Sequence, residues 1–170
     1  MLSKLMYAML GIRPDIAYSV GKLARFSHNP LIQHWSAMTH LYGYMRKTQG
    51  LELRYDGGTD TVDFHGYTDA DFAGDLDTRR STSGYLWMMC NGAISWGARR
   101  QNIVTTSTTQ AEYYASNHAG KEEIWLRSLL FSLRPFTSPS IPVGTPMPPT
   151  RLWADNQSSI TVTRNPKYYQ

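Results

Sequence analysis

The most constraining feature of this 170-residue chain is an alternating run that ends in acidic residues. Between Val62 and Asp69, apolar or small residues alternate with polar ones, which predicts a strand with one buried face and with Asp69 at its carboxyl end. Three further aspartates follow Asp69, namely Asp71, Asp75 and Asp77, and Gly74 between them lets the chain turn away. Their mutual repulsion favours a cation, although a solvated acidic turn is the simpler interpretation of this stretch alone.

Two more acids are introduced by specific local patterns. Ser107 with Gln110 forms a capping box, so a helix should begin there and carry Glu112 near its second turn. Asp155 ends an apolar run and precedes Asn156, a pattern typical of a buried strand that leads into a helix. Mg²⁺ prefers hard oxygen ligands, so two strand-end aspartates and a helix-borne glutamate indicate a divalent cation site.

Composition sets broad limits on the class of protein. The chain has 17 Lys and Arg against 13 Asp and Glu, a formal charge of +4 and a pI near 9.2, which permits a polyanionic partner without requiring one. Cys90 is the single cysteine, which excludes an intramolecular disulfide and a thiolate zinc site and suits a reducing compartment. The sequence shows no signal-peptide cleavage pattern and no membrane-length apolar segment, so we expect an intracellular protein, cytoplasmic or nuclear and not secreted.

The first part of the chain is predicted to be helical. Apolar periodicity predicts helices over Leu2–Leu10, Ile16–Phe26 and Leu31–Lys47, followed by a short strand at Leu51–Tyr55 and a turn at Asp56–Gly58. The methionine and aromatic stripes of these helices are typical of core packing.

From Thr61 the pattern becomes alternating. Strands are predicted at Tyr85–Cys90 and Ala93–Trp96, joined by a hairpin signal at Asn91-Gly92, so that with the first strand they form an antiparallel meander. A meander followed by a helix, a strand and a second helix predicts a layered α/β fold.

The second half alternates helix and strand. A helix should run from Thr108 to about Leu133 and stop at Arg134-Pro135. Its apolar face should carry Ala111, Ala115, His118, Trp125, Leu126, Leu129 and Leu130. His118 is expected to be a packed core histidine, since no second histidine lies four residues away. The proline-rich stretch Thr137–Thr150 should be a loop, followed by a strand at Arg151–Ala154 and a helix from Asn156 to about Arg164.

Five ordered blocks carry a family resemblance. TDADFAGD, RRSTSGY, ISWGARRQ, STTQAEYYA and WADNQSSI resemble, in this order, the ribonuclease H domain of copia-like retrotransposon polyproteins. The resemblance implies a ribonuclease H-like mixed sheet, a three-stranded antiparallel meander plus a parallel strand. It also implies that Asp69, Glu112 and Asp155 are catalytic and hold two Mg²⁺ ions, or Mn²⁺, that hydrolyse the RNA strand of an RNA–DNA hybrid.

The N-terminal helices resemble a different region. LMYAMLGIRPDIAYSVGKLARF is similar to the tail of the copia-type reverse transcriptase region, which implies that residues 1–60 end that region and that residues 61–170 form the ribonuclease H-like domain. The remainder of a Pol polyprotein is then an expected partner, and polymerase activity is not expected.

Two departures from the family lead to an alternative function. The family commonly has Glu where this chain has Gln110, and its fourth carboxylate follows the last helix, beyond Gln170. We therefore expect the last edge strand and helix to be missing, the Arg151–Ala154 edge to be exposed, and cleavage to be weak or absent. The alternative is a catalytically dead remnant that binds nucleic acid or another protein.

Basic and polar residues flank the meander, where they could contact an RNA–DNA hybrid. The predicted phosphate contacts are Arg79, Arg80, Arg99 and Arg100. Hybrids are also recognised through their 2′-hydroxyls, which suggests further contacts from Ser81, Thr82, Gln101 and Asn156. Any one of these basic residues taken singly is more simply a solvated surface charge.

Two competing site types are excluded by spacing and order. A calcium loop starting at Asp69 would need a bidentate Glu at its twelfth place, where this chain has Arg80. An integrase orders its acids Asp, Asp, Glu, whereas the order here is Asp, Glu, Asp.

Overall fold

The computed structural model describes residues 1–56, 63–137, 145–165 and 167. The helices are α1 (Leu2–Gly11), α2 (Ala17–Ala24), α3 (Ile32–Lys47), α4 (Thr108–Thr137) and α5 (Gln157–Arg164), with a 3₁₀ turn at Pro14–Ile16. The strands are β1 (His65–Asp71), β2 (Thr82–Met89), β3 (Gly92–Arg100) and β4 (Arg151–Trp153). No helix among these residues is long and apolar enough to cross a membrane.

The four strands form one mixed sheet in the order β3-β2-β1-β4. β1, β2 and β3 pair antiparallel, and β4 pairs parallel with β1. The predicted α/β class, with a meander plus one parallel strand, is therefore confirmed. β4 is an edge strand among the described residues, as expected, but the prediction that it is buried is wrong, because Trp153 is 52% exposed.

Helix α4 covers one face of the sheet. The alternation of β1 is confirmed, since Phe64, Gly66 and Thr68 are buried while Tyr67 and Asp69 are exposed. The buried face packs into a core of Phe64, Trp87, Ala119 and Leu126. Of the predicted apolar face of α4, Trp125 and Leu129 are instead exposed, which places them off the contact with the sheet.

The N-terminal helices pack on the opposite face of the sheet. They have a core of their own, made of Leu5, Ile16, Val20 and Leu41. Ser95 of β3 bonds to Glu122 of α4, so the neighbouring side chain of Trp96 lies on the other face. There the indole of Trp96 donates a hydrogen bond to the carbonyl of Met9 at 2.9 Å, and α2 packs against β3. This segment is thus joined to the sheet by specific contacts.

Several local predictions are wrong in detail. Residues 51–56 contain no strand. The hairpin turn uses Cys90 and Asn91, with φ of 51° and 59°, so Gly92 already belongs to β3. Positive φ at both central residues is the I′ geometry that matches strand twist, which explains the shift by one residue.

Helix α4 is longer than predicted. It continues past Arg134-Pro135 to Thr137. A proline removes one backbone donor from a helix, and this does not always end it. Residues 138–144 of the predicted Thr137–Thr150 loop and residues 57–58 of the Asp56–Gly58 turn lie outside the described residues, and residues 145–150 form no helix or strand, as predicted.

His118 is packed as expected. Its ring meets the Tyr85 ring edge-on at 5.3 Å between centroids. Burial and the nearby Arg99 lower the pKa of His118, which favours the neutral ring expected of a packed histidine.

Candidate metal centre

Three carboxylates from separate parts of the chain meet where β4 ends beside β1. Asp69 lies near the end of β1, Glu112 near the start of α4, and Asp155 between β4 and α5. One oxygen from each lies within 4.8 Å of the others. The structure thus brings together the three acids singled out in the sequence.

Local interactions fix the position of Glu112. Ser107 Oγ accepts a hydrogen bond from the Gln110 amide at 3.2 Å and caps α4, as predicted. The reciprocal bond of the predicted capping box is shifted, because Gln110 Oε1 accepts from the Thr106 amide at 2.8 Å instead. Ala111 and Ala115 are fully buried, so the first turns of α4 sit close against the sheet.

Asp155 is positioned by the start of the last helix. Asn156 is the N-cap of α5, and its Oδ1 accepts a hydrogen bond from the Ser159 amide at 2.8 Å. Since β4 pairs with β1 only as far as Tyr67 and Trp153, the chain leaves the sheet just before Asp155. This exit directs the acid towards Asp69.

Glu112 is the buried member of the cluster. Glu112 is 6% exposed, whereas Asp69 and Asp155 lie at the surface. Oε1 accepts a hydrogen bond from the Ala70 amide at 3.1 Å, while Oε2 is buried without a hydrogen-bond partner among the described residues. Burial, with the negative charges of Asp69 and Asp155, raises the pKa of Glu112 to about 7, despite the Ala70 amide.

These properties fit a divalent cation. An unpartnered buried carboxylate oxygen beside two further carboxylates is electrostatically costly without a positive charge. All the donor atoms are hard oxygens, which suits Mg²⁺ or Mn²⁺ rather than a soft metal. Asp69, Glu112 and Asp155 would hold such an ion, and the two exposed acids leave its outer side open to solvent.

The other aspartates of the acidic stretch have different surroundings. Asp71 accepts a hydrogen bond from the Tyr18 hydroxyl at 3.2 Å. Asp75 is largely buried and accepts from Thr78 at 2.6 Å and from Arg100, with Arg25 at 3.4 Å. The Thr78 and Arg100 hydrogen bonds, and the charges of both arginines, lower the pKa of Asp75. Of the four acids, only Asp69 therefore belongs to the carboxylate cluster.

Several predicted nucleic-acid contacts lie inside the protein. Ser81 is fully buried, and its Oγ accepts a hydrogen bond from the Ala73 amide at 3.1 Å. Gln101 is 2% exposed and donates to the Ala111 carbonyl at 3.0 Å, which braces the start of α4. Thr82 is 9% exposed. These side chains support the site from within rather than offering polar groups to a ligand.

The remaining predicted contacts divide into two groups. Arg100 pairs with Asp75, and Asn156 uses its side-chain oxygen as a helix cap. Arg79 and Arg99 are exposed and Arg80 is half-buried. The last three have no carboxylate within 4 Å among the described residues, so they remain available at the surface.

Sequence reasoning missed the contribution of α2. Tyr18 bonds to Asp71 and Arg25 pairs with Asp75, and both contacts join residues about 50 positions apart. Helical spacing placed both residues on the predicted second helix, but nothing in that pattern indicates which strand the helix meets.

The fold and the site define an α/β protein with a three-carboxylate centre at the end of a mixed sheet. No family model matches the chain, and no solved structure matches it. The chain is 42% identical over 168 residues to the retrovirus-related Pol polyprotein from transposon TNT 1-94 of Nicotiana tabacum, covering 99% of this chain and 12% of that protein. It is 32% identical over 157 residues to the corresponding polyprotein from transposon RE2 of Arabidopsis thaliana, covering 92% of this chain and 10% of that protein.

A shorter relative aligns over most of its own length. Secreted RxLR effector protein 161 of Plasmopara viticola is 43% identical over 124 residues, which is 72% of this chain and 85% of that protein. The chain therefore belongs to one family with this relative, and it is homologous to a segment of retrovirus-related Pol polyproteins from copia-like transposons. It spans about a tenth of the length of the two polyproteins.

Proposed function

We propose that this chain is the ribonuclease H-type segment of a retrotransposon Pol polyprotein, and that it hydrolyses the RNA strand of RNA–DNA hybrids. The observation that carries the proposal is the convergence of Asp69, Glu112 and Asp155 within 4.8 Å, with one buried oxygen of Glu112 left unpartnered. Such a cluster is suited to divalent cations and to phosphodiester chemistry.

The three acids have distinct roles in this proposal. Bound Mg²⁺ or Mn²⁺ would activate water and stabilise the charge that develops at the scissile phosphate. Glu112 anchors the site from the protein side, since its backbone partner Ala70 belongs to β1. Asp69 and Asp155 are exposed and face the side from which a phosphodiester can approach.

Surface cations would position the hybrid. Three arginines have no carboxylate partner among the described residues and lie around the end of the meander that carries Asp69: Arg79, Arg80 and Arg99. They would contact backbone phosphates, which sets orientation without reading sequence.

In the same proposal, residues 1–60 are the end of the reverse transcriptase region and residues 61–170 the ribonuclease H-like domain. The rest of the Pol polyprotein is then the natural partner.

The test is cleavage of a labelled RNA–DNA hybrid with Mg²⁺. The chain should cut the RNA strand and leave duplex DNA intact, and Asp69→Asn should reduce the rate by at least about 100-fold because a metal ligand is lost. Asp77→Asn is the matched control, since Asp77 is exposed and lies outside the carboxylate cluster. It should cleave at the parent rate.

The other outcomes separate the alternatives. Hybrid binding without cleavage, both in this chain and in a longer segment of the polyprotein, would replace the nuclease assignment with the binding-module alternative. Cleavage that is equally fast in Asp69→Asn would show that the activity does not come from this centre.

A further inference from the structure

A basic groove lies between α2 and the far end of β3. Its volume is about 280 Å³. It is lined by five cationic residues, namely Lys22, Arg25, Arg80, Arg99 and Arg100. Two of these cations come from the N-terminal helical segment and three from the sheet and its loop, so neither part of the chain forms the groove alone.

The groove keeps a positive charge after its internal pairs are counted. Asp75 pairs with both Arg25 and Arg100, and so compensates one of these two charges. No carboxylate lines the groove itself. The Lys22 ammonium donates a hydrogen bond to the Tyr18 hydroxyl and lies over the Tyr18 ring, and it forms no salt bridge among the described residues. The excess of cations favours an anionic ligand.

The groove adjoins the candidate metal centre through one residue. Tyr18 lines the groove and donates a hydrogen bond to Asp71, two residues after Asp69. Tyr18 and Asp69 also line a single larger cavity on this face of the sheet. A polymer anion that enters the carboxylate centre can therefore continue into the groove.

We propose that this groove binds a backbone phosphate of a nucleic-acid duplex, so that α2 of the helical segment forms part of the nucleic-acid-binding surface. The identity of the duplex as an RNA–DNA hybrid rests on the proposed function. Asn102, which is exposed and also lines the groove, offers a neutral hydrogen-bond donor of the kind that accompanies phosphate contacts. Such contacts are independent of base sequence and depend on salt because they release counterions.

The experiment measures equilibrium binding in EDTA, where no cleavage occurs, to an RNA–DNA hybrid and to duplex DNA over a range of salt concentrations. Lys22→Gln and Arg99→Gln should each weaken binding to both duplexes about 3- to 10-fold at low salt, and lower the slope of log K against log salt by about 1. Lys47→Gln is the control, because Lys47 is exposed at the end of α3, outside the groove, and loses the same charge. It should bind with almost the parent affinity and slope.

This experiment can disprove the phosphate-binding groove without disproving the nuclease activity, and the reverse also holds. Loss of affinity in both groove variants supports the groove even if the chain cuts no hybrid. Parent-like affinity and slope in both variants would overturn it even if the chain cleaves hybrids efficiently. An equal loss in Lys47→Gln would also overturn it, because net charge would explain the effect. Loss of binding to phosphatidylserine vesicles, with duplex binding unchanged, would assign the groove to a membrane surface instead.

Discussion

The backbone amide of Ala70 donates a hydrogen bond of 3.1 Å to Oε1 of Glu112. This bond ties α4 to β1 one residue after Asp69, and it satisfies only one of the two oxygens of Glu112. The same carboxylate therefore has one oxygen held by the backbone and one buried without a hydrogen bond among the described residues, so its ionisation should have a measurable effect on stability.

Glu112→Gln should stabilise the metal-free chain at alkaline pH. The pKa of Glu112 is raised from 4.5 to about 7, so its contribution to folding is present at low pH and is lost as the pH rises through about 7. Without divalent metal at pH 8.5, the melting temperature of the variant should exceed that of the parent by at least about 2 °C. At pH 4.5 the parent and the variant should have the same melting temperature. A variant less stable than the parent at pH 8.5 would contradict this account of Glu112.

Mg²⁺ should stabilise the parent chain and not Glu112→Gln. A ligand that binds only the folded state raises the melting temperature with concentration, and the variant loses a charged ligand atom. The measurement is a thermal melt at pH 8 with increasing Mg²⁺, followed by EDTA to reverse the shift. Asp77→Asn should respond like the parent. An equal Mg²⁺ response in all three proteins would place the ion elsewhere.

Mg²⁺ binding should release protons near neutral pH. Because Glu112 must lose its proton to bind a metal, and its pKa without metal is about 7, affinity should fall as the pH drops below about 7. Calorimetric titration at pH 6.5 in two buffers of different ionisation enthalpy should give different apparent enthalpies. At pH 9 the difference should vanish. Buffer-independent heats at pH 6.5 would mean that Glu112 is already ionised there.

Asp75→Asn should destabilise the chain, most strongly at neutral pH. Asp75 bonds to Thr78 and pairs with Arg25 and Arg100, and its lowered pKa means that this stabilisation is full above about pH 4 and is lost as the pH falls further. We expect a loss of about 1–3 kcal/mol in the free energy of unfolding at pH 7, measured by urea denaturation. The loss should shrink at pH 3. An equal loss of unfolding free energy at pH 7 and pH 3 would attribute the effect to packing rather than charge.

Gly66→Ala should destabilise the sheet core. A Cβ at this position would clash with the indole ring of Trp87, which is fully buried and cannot easily move. Overpacking of this kind costs about 1–3 kcal/mol. Gly43→Ala is the matched control, because a Cβ there meets nothing within 4 Å and the residue lies inside α3. It should raise stability by about 0.5–1 kcal/mol. Equal effects of the two substitutions would disprove the predicted clash.

Much of the fold follows from local patterns. The alternation before Asp69, the cap at Ser107 and the cap at Asn156 each placed an element correctly, because these signals depend on neighbours in the chain. Where local signals were weak or conflicting, the predictions failed. Examples are the strand at Leu51–Tyr55, the shifted hairpin turn and the end of α4 at Pro135.

The candidate site depends both on local sequence and on tertiary packing. Residue types and spacing identified Asp69, Glu112 and Asp155 as hard oxygen ligands, since the chemistry of a carboxylate and its place on a strand or helix are local properties. Which acids meet, and which are neutralised, follows from packing between distant segments. The sequence places Asp75 in the acidic turn, but only the packing brings Arg25 and Arg100 beside it. Burial and long-range pairing set the charge state of an acid, and both arise only once the helices close on the sheet.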